Sequence, residues 1–182
     1  MAKPPKCSMC SSSTSSYLVT GMLQTEQYAH ALFRAAHPRD ELAATAEKVA
    51  ARLRRIDVLE RTPPPLLWVI LDESCLRRTV GGSTTMREQM AHLIAAAESP
   101  HVTLQVLPFS TGAPPTGESF TLLRFDETPD ALYTEAQGMG RVVDSPSKVA
   151  RACELYDRLR ADALSPEESL TELRKAMEEY SQ

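Results

Sequence analysis

From Thr25 to Ile56 the apolar positions recur at helical spacing. Thr25-Glu26 offers an N-cap and a first-turn acid, Tyr28, Leu32 and Phe33 follow on one face, and His37-Pro38 closes the run. Asp40 can cap a second helix, in which Leu42, Ala46, Val49, Leu53 and Ile56 form an apolar seam. Arg39, Lys48, Arg52, Arg54, Arg55 and Arg61 alternate there with Asp40, Glu41, Glu47, Asp57 and Glu60, which reads as a solvated face of mixed sign. Thr62-Pro63-Pro64-Pro65 stops the helix, because proline lacks the amide donor and pushes its predecessor toward extended geometry.

Leu66 to Leu71 is a continuous apolar run bounded by turn signals, the pattern of a buried strand. Gly81-Gly82 marks a turn. Thr85 with Glu88 fits a capping box for a helix that shows Met86, Met90, Leu93, Ile94 and Ala97 on one face. Val102 to Leu107 alternates as a strand does, and Pro108 to Gly117 reads as a loop. Phe120–Phe125, Leu132–Glu135 and Arg141–Val143 follow at short spacing, which predicts an antiparallel meander. Two helices close the chain. Ser145-Pro146 and Ser165-Pro166 place serine at N-cap and proline at N1, and Glu168 completes a capping box with Ser165. The expected fold class is α+β, with one small, mainly antiparallel sheet packed with several amphipathic helices.

Residues 1–16 lack any apolar period. Pro4-Pro5 and the run Ser11-Ser12-Ser13-Thr14-Ser15-Ser16 predict a flexible arm, with one globular domain over residues 17–182. At 182 residues the chain has the length of a single domain. No apolar run approaches a membrane span, and the N-terminus lacks the apolar core of a secretory signal, so a soluble, cytoplasmic protein is expected. Twenty Lys+Arg against 24 Asp+Glu give a net charge of −4, which argues against a general nucleic-acid binder.

Candidate chemistry is sparse. Cys7-Ser8-Met9-Cys10 has CxxC spacing but supplies only two of the four ligands of a structural zinc site, and serines follow where a redox motif would open a helix. Cys153, on an apolar stripe with Val149 and Tyr156, reads as a core residue. His30, His37, His92 and His101 show no metal-binding spacing. Gly81-Gly82-Ser83-Thr84 lacks the lysine of a phosphate loop. No metal and no cofactor are expected. Asp72 and Glu73 end the Leu66–Leu71 strand, with Arg77-Arg78 following: an ion-pair network or a polar pocket floor. Gln24, Thr25 and Gln89 sit beside apolar faces, where a cap or a helix–strand hydrogen bond explains each. The candidate ligand-binding residues are Asp72, Glu73, Arg77, Gln89, Tyr133 and Glu135.

The stretch Gly21-Met22-Leu23-Gln24-Thr25-Glu26-Gln27-Tyr28-Ala29 resembles the "PGLLQTxxYA" opening of the DUF5753 domain. The likeness continues in order through Ala51–Leu59, Leu71–Arg78, Val80–Gly82, Met86–Met90, Val106–Gly112, Phe120–Leu123, Tyr133–Glu135 and Ala163–Ser169. Thr20 stands where that pattern usually has proline. The resemblance implies the C-terminal, signal-sensing or partner-binding domain of actinobacterial XRE-type helix-turn-helix regulators, and it implies no catalytic residue. A helix-turn-helix is longer than the Ser-rich arm, so no direct nucleic-acid binding is expected. Two functions follow as expectations. One is a stand-alone effector-like module that binds a small molecule or small partner protein in a regulatory or natural-product context. The other is a cofactor-free enzyme that tailors or cyclises a natural product in the same pocket, acting chiefly by orientation.

Overall fold

The computed structural model describes residues 10–15, 17–114, 116, 118–125, 128–136 and 139–181. It contains six strands: β1 (Cys10–Ser15), β2 (Leu66–Asp72), β3 (Val102–Leu107), β4 (Phe120–Arg124), β5 (Ala131–Ala136) and β6 (Met139–Val143). The helices are α1 (Glu26–Ala36), α2 (Leu42–Leu53), α3 (Ser74–Arg77), α4 (Ser83–Ala96), α5 (Pro146–Asp162) and α6 (Pro166–Glu179). Short 3-10 helices occupy Gly21–Leu23, Arg54–Glu60 and Phe109–Thr111. No helix of the described residues is long and apolar enough to cross a membrane.

The strands form one sheet in the order β3-β2-β1-β4-β5-β6. β1 with β2 and β2 with β3 are parallel; β1 with β4, β4 with β5 and β5 with β6 are antiparallel. The class is α+β, but the sheet is mixed, which corrects the expected mainly antiparallel arrangement. Parallel neighbours need a crossover connection, and two are present: α1 and α2 join β1 to β2, and α3 and α4 join β2 to β3. The antiparallel meander forms only the β4–β6 half.

The strand the sequence hides is β1. Residues 10–15, read as part of a flexible arm, lie between β2 and β4 at the centre of the sheet. Their side chains are polar, so they carry no apolar signature, yet Ser13 and Thr14 are buried. Both are hydrogen-bonded: the Thr121 hydroxyl donates to Ser13 Oγ at 3.3 Å, and the Phe120 amide donates to Thr14 Oγ1 at 3.3 Å. The rest of the arm, residues 1–9 and 16 with Cys7 of the CxxC, lies outside the described residues.

Helix boundaries follow local chemistry. Thr25 caps α1 by accepting from the Tyr28 amide at 3.3 Å. Ser165 and Glu168 form the complete capping box of α6. α4 instead begins at Ser83, directly after Gly81 and Gly82 at φ of 70° and 93°, so Thr85 is not its cap. Left-handed backbone is open to glycine at little cost, and it lets the chain turn straight into the helix. Asp40 does not cap α2 either; Glu41 stands at that position, and Asp40 pairs with Lys48.

Both faces of β2 are buried, as its unbroken apolar run requires. Leu67, Val69 and Leu71, with Leu104 and Val106 of β3, pack beneath α1, α4 and α6 through Tyr28, Met86, Met90, Leu93 and Leu173. On the opposite face Ile70, Leu107, Phe120 and Leu122 meet Val149, Ala152, Tyr156 and Leu159 of α5. The outer edge of β3 is closed by the α5–α6 connection. There Val106 donates its amide to Ser169 Oγ at 2.9 Å and accepts from the Leu164 amide at 2.9 Å. That arrangement blocks edge-to-edge pairing on this side.

Candidate functional site

Pairing register decides which residues share a face. Val69 of β2 lies beside Ser13 of β1, Ser13 beside Thr121 of β4, and Thr121 beside Tyr133 of β5. Two-residue steps add Leu123 and Glu135 to the same face. Val69 is covered by the helical layer, but the cover thins beyond β1. A cavity of about 910 Å³ remains between this sheet surface and the segment from Arg52 to Arg61. Its floor includes Ser13, Thr121, Leu123, Tyr133 and Glu135; its other walls come from Tyr17–Met22, Gln24, Leu32, Val58 and Leu59. The size suits a small organic ligand, and mainly apolar walls with a few placed polar groups are the usual composition of such sites.

Four arginines, Arg52, Arg54, Arg55 and Arg61, line the cavity with two carboxylates, Asp57 and Glu135. Arg52 is the most firmly placed. Its Nη1 donates to Gln24 Oε1 at 2.9 Å, and Gln24 is itself held by its Nε2 donating to the Val19 carbonyl at 2.6 Å. The Arg52 guanidinium carbon lies 4.2 Å from the centroid of the Phe33 ring, a cation–π contact. Burial pulls its pKa below the usual arginine value; Glu135 opposes that shift and Arg55 reinforces it. Among the described residues Arg52 makes no ion pair.

Tyr133 owes its position to a glycine. A Cβ on Gly140 of β6 would collide with Tyr133 Oη and stand 2.7 Å from Cε2, so the ring lies across a spot only glycine leaves open. Gly140→Ala is therefore expected to drive the ring off β6 at a cost of about 1 kcal/mol. The measurement is the shift of the Tyr133 ring resonances with the rest of the spectrum retained. Unmoved Tyr133 resonances would refute the contact.

The six residues proposed from sequence fall into three places. Tyr133 and Glu135 line the cavity. Asp72 accepts from the Ser74 amide at 2.9 Å and so opens α3. Glu73 accepts from Arg77 Nε at 3.2 Å and from the Phe109 amide at 2.9 Å; Arg77 also pairs with Glu179 and Glu172 on α6. Glu73 and Arg77 tie α3 to α6 and to the chain after β3 as an ion-pair network, while Asp72 holds the start of α3 and joins no ion pair among the described residues. Gln89 is fully buried between α4 and the start of α1. It donates through Nε2 to the Leu23 carbonyl at 2.7 Å and accepts the Thr25 amide on Oε1 at 2.8 Å.

Arg52 and its neighbours were missed, since the sequence shows them only as members of a mixed-charge helix face. His92 and His101 each bury a ring nitrogen without a partner, and burial lowers the pKa of His92, but neither lines the cavity. Cys75 is buried and Cys153 half-buried. No group of three or more His, Cys, Asp or Glu among the described residues could hold a metal ion. The cavity can bind and orient a ligand by apolar contact, by hydrogen bonds from Tyr133 and Ser13, and by charge.

A family model described as "Domain of unknown function (DUF5753)" matches residues 11–175. No curated protein and no solved structure matches the chain.

Proposed function

The chain belongs to the DUF5753 family, and on that premise we propose that it is an effector-type binding module whose cavity holds a small organic molecule. The observation that carries this reading is the cavity of about 910 Å³ itself. It is walled largely by apolar side chains and supplied with a few placed polar groups, the usual composition of a small-molecule site. The setting we propose is regulation or natural-product metabolism in the cytoplasm, as the resemblance of the chain to regulator effector domains implies. A second reading, cofactor-free catalysis by orientation, draws on one observation: Tyr133 and Glu135 face the cavity together from alternate positions of β5.

A neutral fluorescent probe, N-phenyl-1-naphthylamine, tests the binding reading. Leu123 lies on the cavity floor, and Leu123→Trp fills that space with an indole. The variant is expected to weaken probe binding about tenfold or more, by occluding a site that buries most of its ligand, while its thermal melting stays cooperative. Unchanged affinity in a folded Leu123→Trp chain would rule the cavity out as the binding site. Catalysis would instead require turnover of a candidate substrate that is lost in folded Glu135→Gln.

A further inference from the structure

The placement of Arg52 narrows the ligand class. A guanidinium removed from water is costly unless an anion and hydrogen bonds compensate it. Arg77 shows the compensated case in this molecule, with Glu73, Glu172 and Glu179 around it. Arg52 is half-buried and is hydrogen-bonded to one neutral acceptor, Gln24, and stacked on one aromatic ring, Phe33, while Glu135, the carboxylate that acts on it across the cavity, makes no ion pair with it among the described residues. Both supports are rigid: Gln24 is tied to the Val19 carbonyl, and Phe33 belongs to α1. Nη1 is taken by Gln24, and no acceptor for Nε or Nη2 is found among the described residues. The edge formed by Nε and Nη2 has the two-donor geometry that binds both oxygens of an acid group.

The wall as a whole agrees. The chain carries a net charge of −4, yet the cavity gathers four arginines against two carboxylates. Positive potential in a recess with low-dielectric walls concentrates anions there. The apolar walls from Leu18, Val19, Met22, Leu32, Val58 and Leu59 exclude a ligand that is charged throughout, because most of its surface would be desolvated without partners. Resting on the binding reading above, we propose that the ligand is an apolar molecule bearing one terminal oxyanion, a carboxylate or sulfonate, and that Arg52 clamps this group through its Nε–Nη2 edge.

Two probes with one skeleton test the proposal: 1-anilinonaphthalene-8-sulfonate, which is anionic, and neutral N-phenyl-1-naphthylamine. The wild-type chain is expected to favour the sulfonate by about tenfold, the effect of one hydrogen-bonded charge pair. Arg52→Met, which keeps an apolar stem, is expected to erase that preference and leave the neutral probe within about twofold of wild type. Arg52→Lys should recover only part of the preference, since an ammonium carries the charge without the fork. Equal wild-type affinity for the two probes overturns the clamp, as does an Arg52→Met variant that weakens both probes alike. Where Arg52→Met fails to melt cooperatively, added salt applied to the wild type decides. The clamp predicts a sulfonate affinity that falls and a neutral-probe affinity that does not, and parallel behaviour overturns it. Leu123→Trp separates the two levels. If it abolishes both probes while the wild type shows no sulfonate preference, the cavity binds ligands and the clamp is wrong. If it affects neither probe, the binding reading itself fails.

Discussion

Gln89→Leu is expected to lower the stability of the chain by about 3 kcal/mol, read as a fall in melting temperature of roughly 10 °C. The side chain has no exposed surface and stands between two backbone groups that the helix ends leave open. Thr25 is the N-cap of α1, so its amide has no partner within the helix; Leu23 ends the preceding 3-10 turn with its carbonyl directed at α4. Gln89 satisfies both, at 2.8 Å and 2.7 Å. Leucine fills a similar volume and satisfies neither. The loss is therefore the desolvation of an orphaned amide and an orphaned carbonyl rather than a cavity, at about 1–3 kcal/mol each. Gln89→Glu separates the two bonds. The carboxylate can still accept the Thr25 amide, but it cannot donate to Leu23 O and it places a charge against that carbonyl. Burial and the neighbouring Leu23 carbonyl are expected to favour the protonated carboxyl over the charged one, so the stability it supplies is present below the pKa of an unfolded glutamate and is lost as pH rises through the folded value. Urea unfolding at pH 4 and pH 7 should therefore show Gln89→Glu closest to wild type at the lower pH. A deficit relative to wild type that is the same at both pH values would overturn this account of the Leu23 bond.

Gln89 also illustrates how far the sequence reaches. A glutamine beside an apolar helical face reads as a helix–strand or capping bond, and the structure makes it a capping bond across 64 and 66 positions. The partner could not be named, because nothing local links Met90 and its neighbours to Thr25. The ion pair of Glu73 with Arg77 is legible for the opposite reason: the two are one helical turn apart, and that spacing alone brings them together.

The centre of the sheet was not legible. Periodicity methods find strands by their apolar side chains, and β1 has none within Ser11–Ser15. With no apolar signal for β1, its parallel pairing with β2 has none either. The same polarity produces the site. Where β2 puts Leu67, Val69 and Leu71 beneath the helices, β1 offers the small Ser13, and the floor from there to Tyr133 is left uncovered. Arg52 was hidden similarly. On the helix surface it is one basic residue among several; only the fold of Gln24 and Phe33 against it distinguishes it from solvated Arg54.

The second large effect is alkaline. Tyr28 has no exposed surface, and burial pushes its phenol up to about 12 from an ordinary 10.0. The Val19 amide, which donates to its oxygen at 3.3 Å, opposes the shift, and Cys75 adds to it. Below pH 10 the phenol is protonated in both folded and unfolded chains and contributes no pH dependence. Between the two values the unfolded chain releases its proton while the folded chain keeps it, so stability must fall as pH rises. For a shift of this size the loss amounts to about 1 kcal/mol by pH 11 and about 2 kcal/mol by pH 12. Tyr28→Phe removes this term together with the acceptor of the Val19 amide, whose loss costs about 1 kcal/mol at any pH. The two chains should therefore cross. At pH 8 wild type is the more stable; near pH 11 the curves meet; above that Tyr28→Phe is the more stable. Urea unfolding in half-unit pH steps measures both, and the remaining tyrosines, lysines and arginines titrate alike in the two chains and cancel in the difference. Parallel curves from pH 8 to pH 12 would show that the Tyr28 hydroxyl ionises in the folded chain as readily as in water, and that α1 does not seal it from solvent.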